Sequence, residues 1–133
     1  MTDGTLGSGT TASLGRVVVA DDDGDIRSLV SIAVKRAGFE LVGAFDNGSD
    51  AWAAVQQLRP DVVILDVSMP GLTGLEVTRK IRADAALAGA RTSVLSAGVD
   101  DISRGAGIDA GADEYYSKPF SPRELAAALR GSA

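Results

Sequence analysis

The sequence predicts one three-layer α/β/α domain, a doubly wound sheet of five parallel strands with helices on both faces. Three observations predict it. Short apolar runs alternate with longer amphipathic stretches five times over, the pattern of repeated strand-helix units joined by right-handed crossovers. Two of the runs, Val17-Val18-Val19-Ala20 and Val62-Val63-Ile64-Leu65, are continuous and mostly β-branched rather than alternating, as strands buried on both faces require. A chain of 133 residues suits a single domain and buries roughly two-thirds of the surface its unfolded form exposes.

The elements follow in order. Residues 1–15 are mostly glycine, serine and threonine, which have little to bury, and they predict a disordered tail ahead of a folded domain over 16–133. Val17–Ala20 is the first strand. Ile26, Leu29, Val30, Ala33, Val34 and Ala37 then repeat at helical spacing and form one apolar face, with Gly38 as the stop. A second strand covers Glu40–Ala44, and the helical stretch Ser49–Leu58 is closed by Pro60. Val62–Leu65 is the third strand. Thr73 and Glu76 have the spacing of a capping box and open the next helix. Ser93-Val94-Leu95 is the fourth strand and Glu114-Tyr115-Tyr116 the fifth. Between them Ile102–Ala112 is the weakest helix, since Gly105 and Gly107 each cost about 1 kcal/mol relative to alanine. The last helix starts with a second capping box, Ser121 to Glu124, and has Pro122 at its first position.

Composition excludes whole classes of chemistry. With no cysteine there is no disulfide, thiolate metal site or thiol nucleophile, and the count fits a reducing compartment. With no histidine there is no imidazole base, hence no Ser/His/Asp triad. Thirteen basic against 18 acidic residues give a net charge of -5 without a basic cluster, which argues against a nucleic-acid surface. No apolar stretch approaches the ~20 residues that span a bilayer, and the N-terminus lacks a signal-peptide pattern, so the expected location is cytoplasmic.

In a doubly wound sheet, ligands bind beyond the carboxyl ends of the strands. The first strand ends in Asp21-Asp22-Asp23, the third in Asp66, the fourth in Ser96 and the fifth in Ser117-Lys118-Pro119. Asp21 to Asp25 also reads as a solvated loop capping the next helix. Asp66 is different: a carboxylate at the mouth of a buried strand, before the turn residues Met69-Pro70-Gly71, is a costly choice for structure alone. Clustered with Asp21 and Asp22 it would meet repulsion of about 1 to 4 kcal/mol per pair. A hard divalent cation such as Mg2+ relieves that repulsion in an all-oxygen site. Lys118 can pair with one of these acids or with a phosphoryl group. Ser96, with a small Ala97 and Gly98 behind it, can donate its hydroxyl to an anion. The set proposes phosphoryl transfer to a carboxylate, with Asp66 as nucleophile. Tyr115, Tyr116 and Trp52 read as packing residues.

These residues also carry a family resemblance over the whole folded segment. Val18-Val19-Ala20-Asp21-Asp22-Asp23, the stretch from Asp61 to Gly74, and Gly111-Ala112-Asp113-Glu114-Tyr115-Tyr116-Ser117-Lys118-Pro119-Phe120 resemble the receiver domain of two-component response regulators, the CheY-like superfamily of flavodoxin-like topology. The resemblance implies sheet order 2-1-3-4-5 and makes Asp66 the acceptor of a phosphoryl group from a histidine kinase or phosphotransfer protein. It implies Mg2+, replaceable by Mn2+, held by Asp22, Asp66 and the backbone carbonyl of Ser68, with Asp21 acting through water. Ser96 takes the place of the switch hydroxyl, Lys118 that of the phosphate-binding lysine with a cis bond to Pro119, and Tyr115 that of the switch aromatic. Ser68 and Gly98 occupy two variable positions that in the family tune phosphate lifetime. The expectation is a signalling module rather than a turnover enzyme, acting on a downstream protein and open to phosphorylation-dependent dimerisation. It stands alone or forms the receiver part of a longer DNA-binding or enzymatic regulator, or a phosphate-independent scaffold. A phosphatase with an aspartyl nucleophile would want an acid where Ser68 stands, and a flavin phosphate would be repelled by Asp21-Asp22-Asp23.

Overall fold

The computed structural model describes residues 13–96, 109–118 and 120–131. Its strands are β1 (Arg16–Ala20), β2 (Glu40–Phe45), β3 (Val62–Asp66), β4 (Arg91–Ser96) and β5 (Glu114–Ser117). The described residues include the helices α1 (Gly24–Arg36), α2 (Gly48–Leu58), α3 (Gly74–Ala83) and α4 (Pro122–Gly131), with a 3-10 turn at Ala85–Leu87. All paired strands run parallel, in the order β2-β1-β3-β4-β5. The strand order reverses between β1 and β3, so the loops after these two strands flank one crevice.

The continuous apolar runs do what their composition requires. In β3 every residue is buried, because alternate side chains enter different layers. Val17, Val19, Val62 and Ile64 pack with Val30, Ala33 and Val34 of α1 and with Leu125, Ala126 and Leu129 of α4. Val18, Ala20, Val63 and Leu65 pack with Ala51 and Val55 of α2 and Val77 and Ile81 of α3. Each helix therefore contributes one apolar stripe to one of two cores, and the central strands are held from both sides.

Both expected capping boxes are present in full. Thr73 Oγ1 accepts from the Glu76 N–H at 3.1 Å while the Thr73 N–H donates to Glu76 Oε1 at 2.8 Å. Ser121 and Glu124 repeat the exchange at 3.0 and 3.1 Å. Two boundaries repay a closer look. The second helix ends at Leu58 as expected, and the device that ends it is Arg59, just before Pro60, which adopts a left-handed conformation at φ 48° and donates its N–H to Val55 O. The expected tail reaches too far: Leu14 donates to Gly38 O and Gly15 O accepts from Glu40, so residues 14 and 15 already lie along the body. What holds them there is backbone groups that find partners beside β2. The rest of that tail up to residue 12, most of the expected helix over Ile102–Ala112, Gly98 and the cis bond at Pro119 lie outside the described residues.

Candidate functional site

The site forms where β1 and β3 end. Asp21 follows β1 directly, and its N–H donates to Phe45 O at 3.0 Å, extending the β1–β2 ladder by one bond. Its Oδ1 accepts from the Asp23 N–H at 2.9 Å. Asp23 caps α1, its Oδ1 receiving the Asp25 and Ile26 amides at 2.9 and 3.2 Å, which fixes the turn that carries Asp22. The capping reading of this acidic run is therefore right for Asp23, whose neighbours Asp21 and Asp22 are left for other work.

Asp66 ends β3 and is 5% exposed; Asp21 is fully buried and Asp22 exposed. The three offer carboxylate oxygens that all lie within 4.8 Å of one another. Lys118, just past β5, enters from the other side of the crevice. Its Nζ lies 3.0 Å from Asp21 Oδ2 and 3.2 Å from Asp66 Oδ1. One ammonium thus faces three carboxylates, and the local balance stays negative.

Burial, then the charge of Asp21, pushes the Asp66 carboxyl up from 3.8 to about 6, although Lys118 pulls the other way and Asp22 adds to the rise. Burial opposes the Lys118 ammonium, but its contacts with Asp21 and Asp66 outweigh that and raise it above the ordinary lysine value. Asp21 Oδ2 is buried and receives no hydrogen bond among the described residues, the ammonium approaching within ion-pair distance but outside hydrogen-bonding geometry. A buried carboxylate oxygen held by an ion pair but by no hydrogen bond among the described residues, beside two further carboxylates, leaves a position that a hard divalent cation can take. The residues present fit such an ion.

The remaining expected residues stand around this centre. Ser68 is exposed in the loop after β3. Ser96 ends β4, 5% exposed, one residue beyond Leu95, the register partner of Asp66. Its carbonyl accepts the Lys118 N–H at 2.7 Å, tying the end of β4 to the start of the lysine loop. Tyr115 is half-buried on β5 beside Val94, while Tyr116 packs on the α1–α4 core. Trp52 packs on the α2–α3 core with the Lys80 ammonium 5.9 Å from its ring centroid, a packing residue as expected.

Two contributors went unnoticed in the sequence. Arg27 of α1 donates from Nη1 to the Asp21 carbonyl at 2.9 Å and so steadies the backbone of the buried acid; an arginine six residues after an aspartate gives no signal of this. Gly74 lies so close to β3 that a Cβ there would overlap the Asp66 carbonyl oxygen and sit 2.8 Å from its carbon. Its position after a capping threonine hints at a tight turn but not at what it touches.

Comparison with known proteins agrees with this geometry. Residues 17–130 match the family model described as response regulator receiver domain. The DNA-binding response regulator MtrA of Mycolicibacterium smegmatis is 39% identical over 115 residues, which are 86% of this chain and 49% of that protein. The phosphate regulon transcriptional regulatory protein PhoB of Pseudomonas aeruginosa is 34% identical over 114 residues, again 86% and 49%. The chain spans about half the length of these curated relatives. Among solved structures, chemotaxis response regulator CheY4 of Vibrio cholerae superposes with a TM-score of 0.82 at 30% identity, covering 91% of this chain and 100% of that one.

Proposed function

Since the chain belongs to the response regulator receiver domain family of two-component signalling, we propose that Asp66 accepts a phosphoryl group from the phosphohistidine of a sensor kinase or phosphotransfer protein, and that the modified domain presents a changed face to a downstream protein. One observation carries the reading: a nearly buried carboxylate at the end of the central strand lies 3.2 Å from an ammonium and within 4.8 Å of two further carboxylates.

In the step itself, an Asp66 carboxylate oxygen attacks phosphorus. The P–O bond of an acyl phosphate forms, and the P–N bond breaks with its electron pair going to the donor imidazole. Above about pH 6 Asp66 is mostly ionised and available as nucleophile. Lys118 already sits against the attacking group, so its charge meets the phosphoryl oxygens without reorganisation. Asp22, Asp66 and the Ser68 carbonyl would hold Mg2+, with Asp21 acting through water, and the ion would supply further neutralisation of those oxygens. Asp21 and Arg27 hold the floor of the crevice, and Asp23 fixes the turn that presents Asp22.

The chain's chemistry is then its own transient modification, not turnover of a separate substrate. A phosphoryl group on Asp66 draws the Ser96 hydroxyl, and Tyr115, two residues back from the Ser117 that pairs with Ser96, moves with it. Kinase, phosphate donor and target all act in the cytoplasm on this reading, and among the described residues no helix is long and apolar enough to cross a membrane.

Intact-protein mass after incubation with a small acyl-phosphate donor tests the proposal. One added phosphoryl group that requires Mg2+ supports it; no gain in wild type under any condition contradicts it.

A further inference from the structure

The loop from Val67 to Thr73 follows Asp66 and carries Ser68. At its start, Val67 is pinned by its N–H to Leu95 O at 2.9 Å, and Gly74 closes it with an N–H to Val67 O at 3.1 Å. Its middle is held from a different element. The Gly48 N–H, at the first residue of α2, donates to Pro70 O at 3.1 Å. The fit is tighter than a hydrogen bond alone demands: a Cβ on Gly48 would overlap the Leu72 carbonyl oxygen and lie 2.5 Å from its carbon. From the loop side, Gly71 stands at φ +77°, where a Cβ would be 2.5 Å from Ser49 Oγ. Backbone thus lies on backbone at the α2 N-terminus, two residues from Ser68, and Asn47 fixes that N-terminus by accepting the Asp50 N–H at 2.8 Å.

We propose that Gly48 is a positioning residue for the divalent-cation site: by letting α2 seat directly on Pro70 and Leu72, it sets where the Ser68 carbonyl stands relative to Asp66. The inference rests on the metal reading above. The Ser68 carbonyl is a backbone ligand, so nothing but the path of the loop can aim it. Any side chain at position 48 must push the Leu72 carbonyl away, and the displacement passes along a loop pinned at Val67 and Gly74 to the residues between them. Groups that orient ligands without touching the ion typically govern metal affinity by ten- to a hundredfold.

The test measures Mn2+ binding by the electron paramagnetic resonance signal of the free ion, at a temperature where circular dichroism shows every variant folded. Wild type, Gly48→Ala and Val34→Ala are compared; Val34 is fully buried in the opposite core and serves as a destabilised control. The expected result is at least tenfold weaker Mn2+ binding in Gly48→Ala, with the Val34→Ala affinity equal to wild type. Equal affinity in Gly48→Ala overturns the inference, as does an equal loss in Val34→Ala, which would mark a global effect. If wild type itself takes up no Mn2+, the metal reading falls and this inference with it, a result distinct from the other two. Should Gly48→Ala not fold, Gly71→Ala disturbs the same seating from the loop side, through its φ of +77° and the Ser49 hydroxyl 2.5 Å from the added Cβ: weaker binding supports the inference, and wild-type affinity overturns it.

Discussion

Replacing Asp66 with asparagine keeps the shape of the side chain and removes its charge, and in metal-free protein this change should be stabilising. The fold holds the Asp66 carboxyl at about 6 against 3.8 for an ordinary aspartate, so the folded state binds a proton more tightly than the unfolded one. The favourable contribution of the neutral carboxyl is complete below pH 3.8 and is lost as pH rises through about 6. At pH 8 the ionised carboxylate costs the full difference, about 3 kcal/mol at 1.36 kcal/mol per unit. At pH 5, where most folded molecules are protonated, the same linkage leaves roughly half of that. Asparagine does not titrate. The stability gap between Asp66→Asn and wild type should therefore widen by roughly 1 to 2 kcal/mol between pH 5 and pH 8. In a chain of this size the gap at pH 8 corresponds to roughly 10 °C in Tm. Urea unfolding in EDTA at the two pH values measures it, and Mg2+ should narrow the gap at pH 8 by stabilising only the protein that carries the full acid set. A gap that does not change with pH, or a variant less stable than wild type at pH 8, would refute the claim that Asp66 is held as a strained, buried charge.

Lys118→Met removes the cation between Asp21 and Asp66 and should slow phosphorylation by small acyl phosphates on the order of 100-fold, read as the rate of mass gain; an unchanged rate would remove the ammonium from the mechanism. Ser96→Ala should leave phosphorylation in place but abolish the phosphate-dependent change in Tyr115, followed by NMR of the tyrosine ring with and without donor. Thr73→Ala should cost about 1 kcal/mol of stability through loss of the capping box, measured by urea unfolding, because its partner Glu76 lies on the outer side of α3.

Much of this was legible in the sequence because the informative residues violate local expectation. Asp66 stands where an apolar run should end neutrally, and Thr73 with Glu76 and Ser121 with Glu124 carry a spacing that only a helix start explains. The buried runs of β1 and β3 gave the three-layer architecture because both faces of those strands had to be covered. What stayed hidden depends on tertiary approach. No local pattern says that Gly48 meets the Leu72 carbonyl twenty-four residues on, or that Arg27 reaches back to the Asp21 carbonyl. Pro60 marks the end of α2 at Leu58 correctly, but the left-handed backbone of Arg59 that makes the stop is not advertised by its side chain. Leu14 and Gly15 read as tail because composition reports side-chain burial, and what fixes them is backbone pairing with Gly38 and Glu40.

The central claim is that Asp66, among three neighbouring carboxylates, is the one that takes the phosphoryl group. Borohydride reduces an acyl phosphate to the alcohol, so trapping the phosphorylated protein and sequencing its peptides converts the acceptor aspartate to homoserine and reads its position directly. Homoserine at position 66, formed in Mg2+ and absent in EDTA, is the predicted result. Homoserine at position 21 or 22, or none despite a gain of phosphoryl mass, would contradict it.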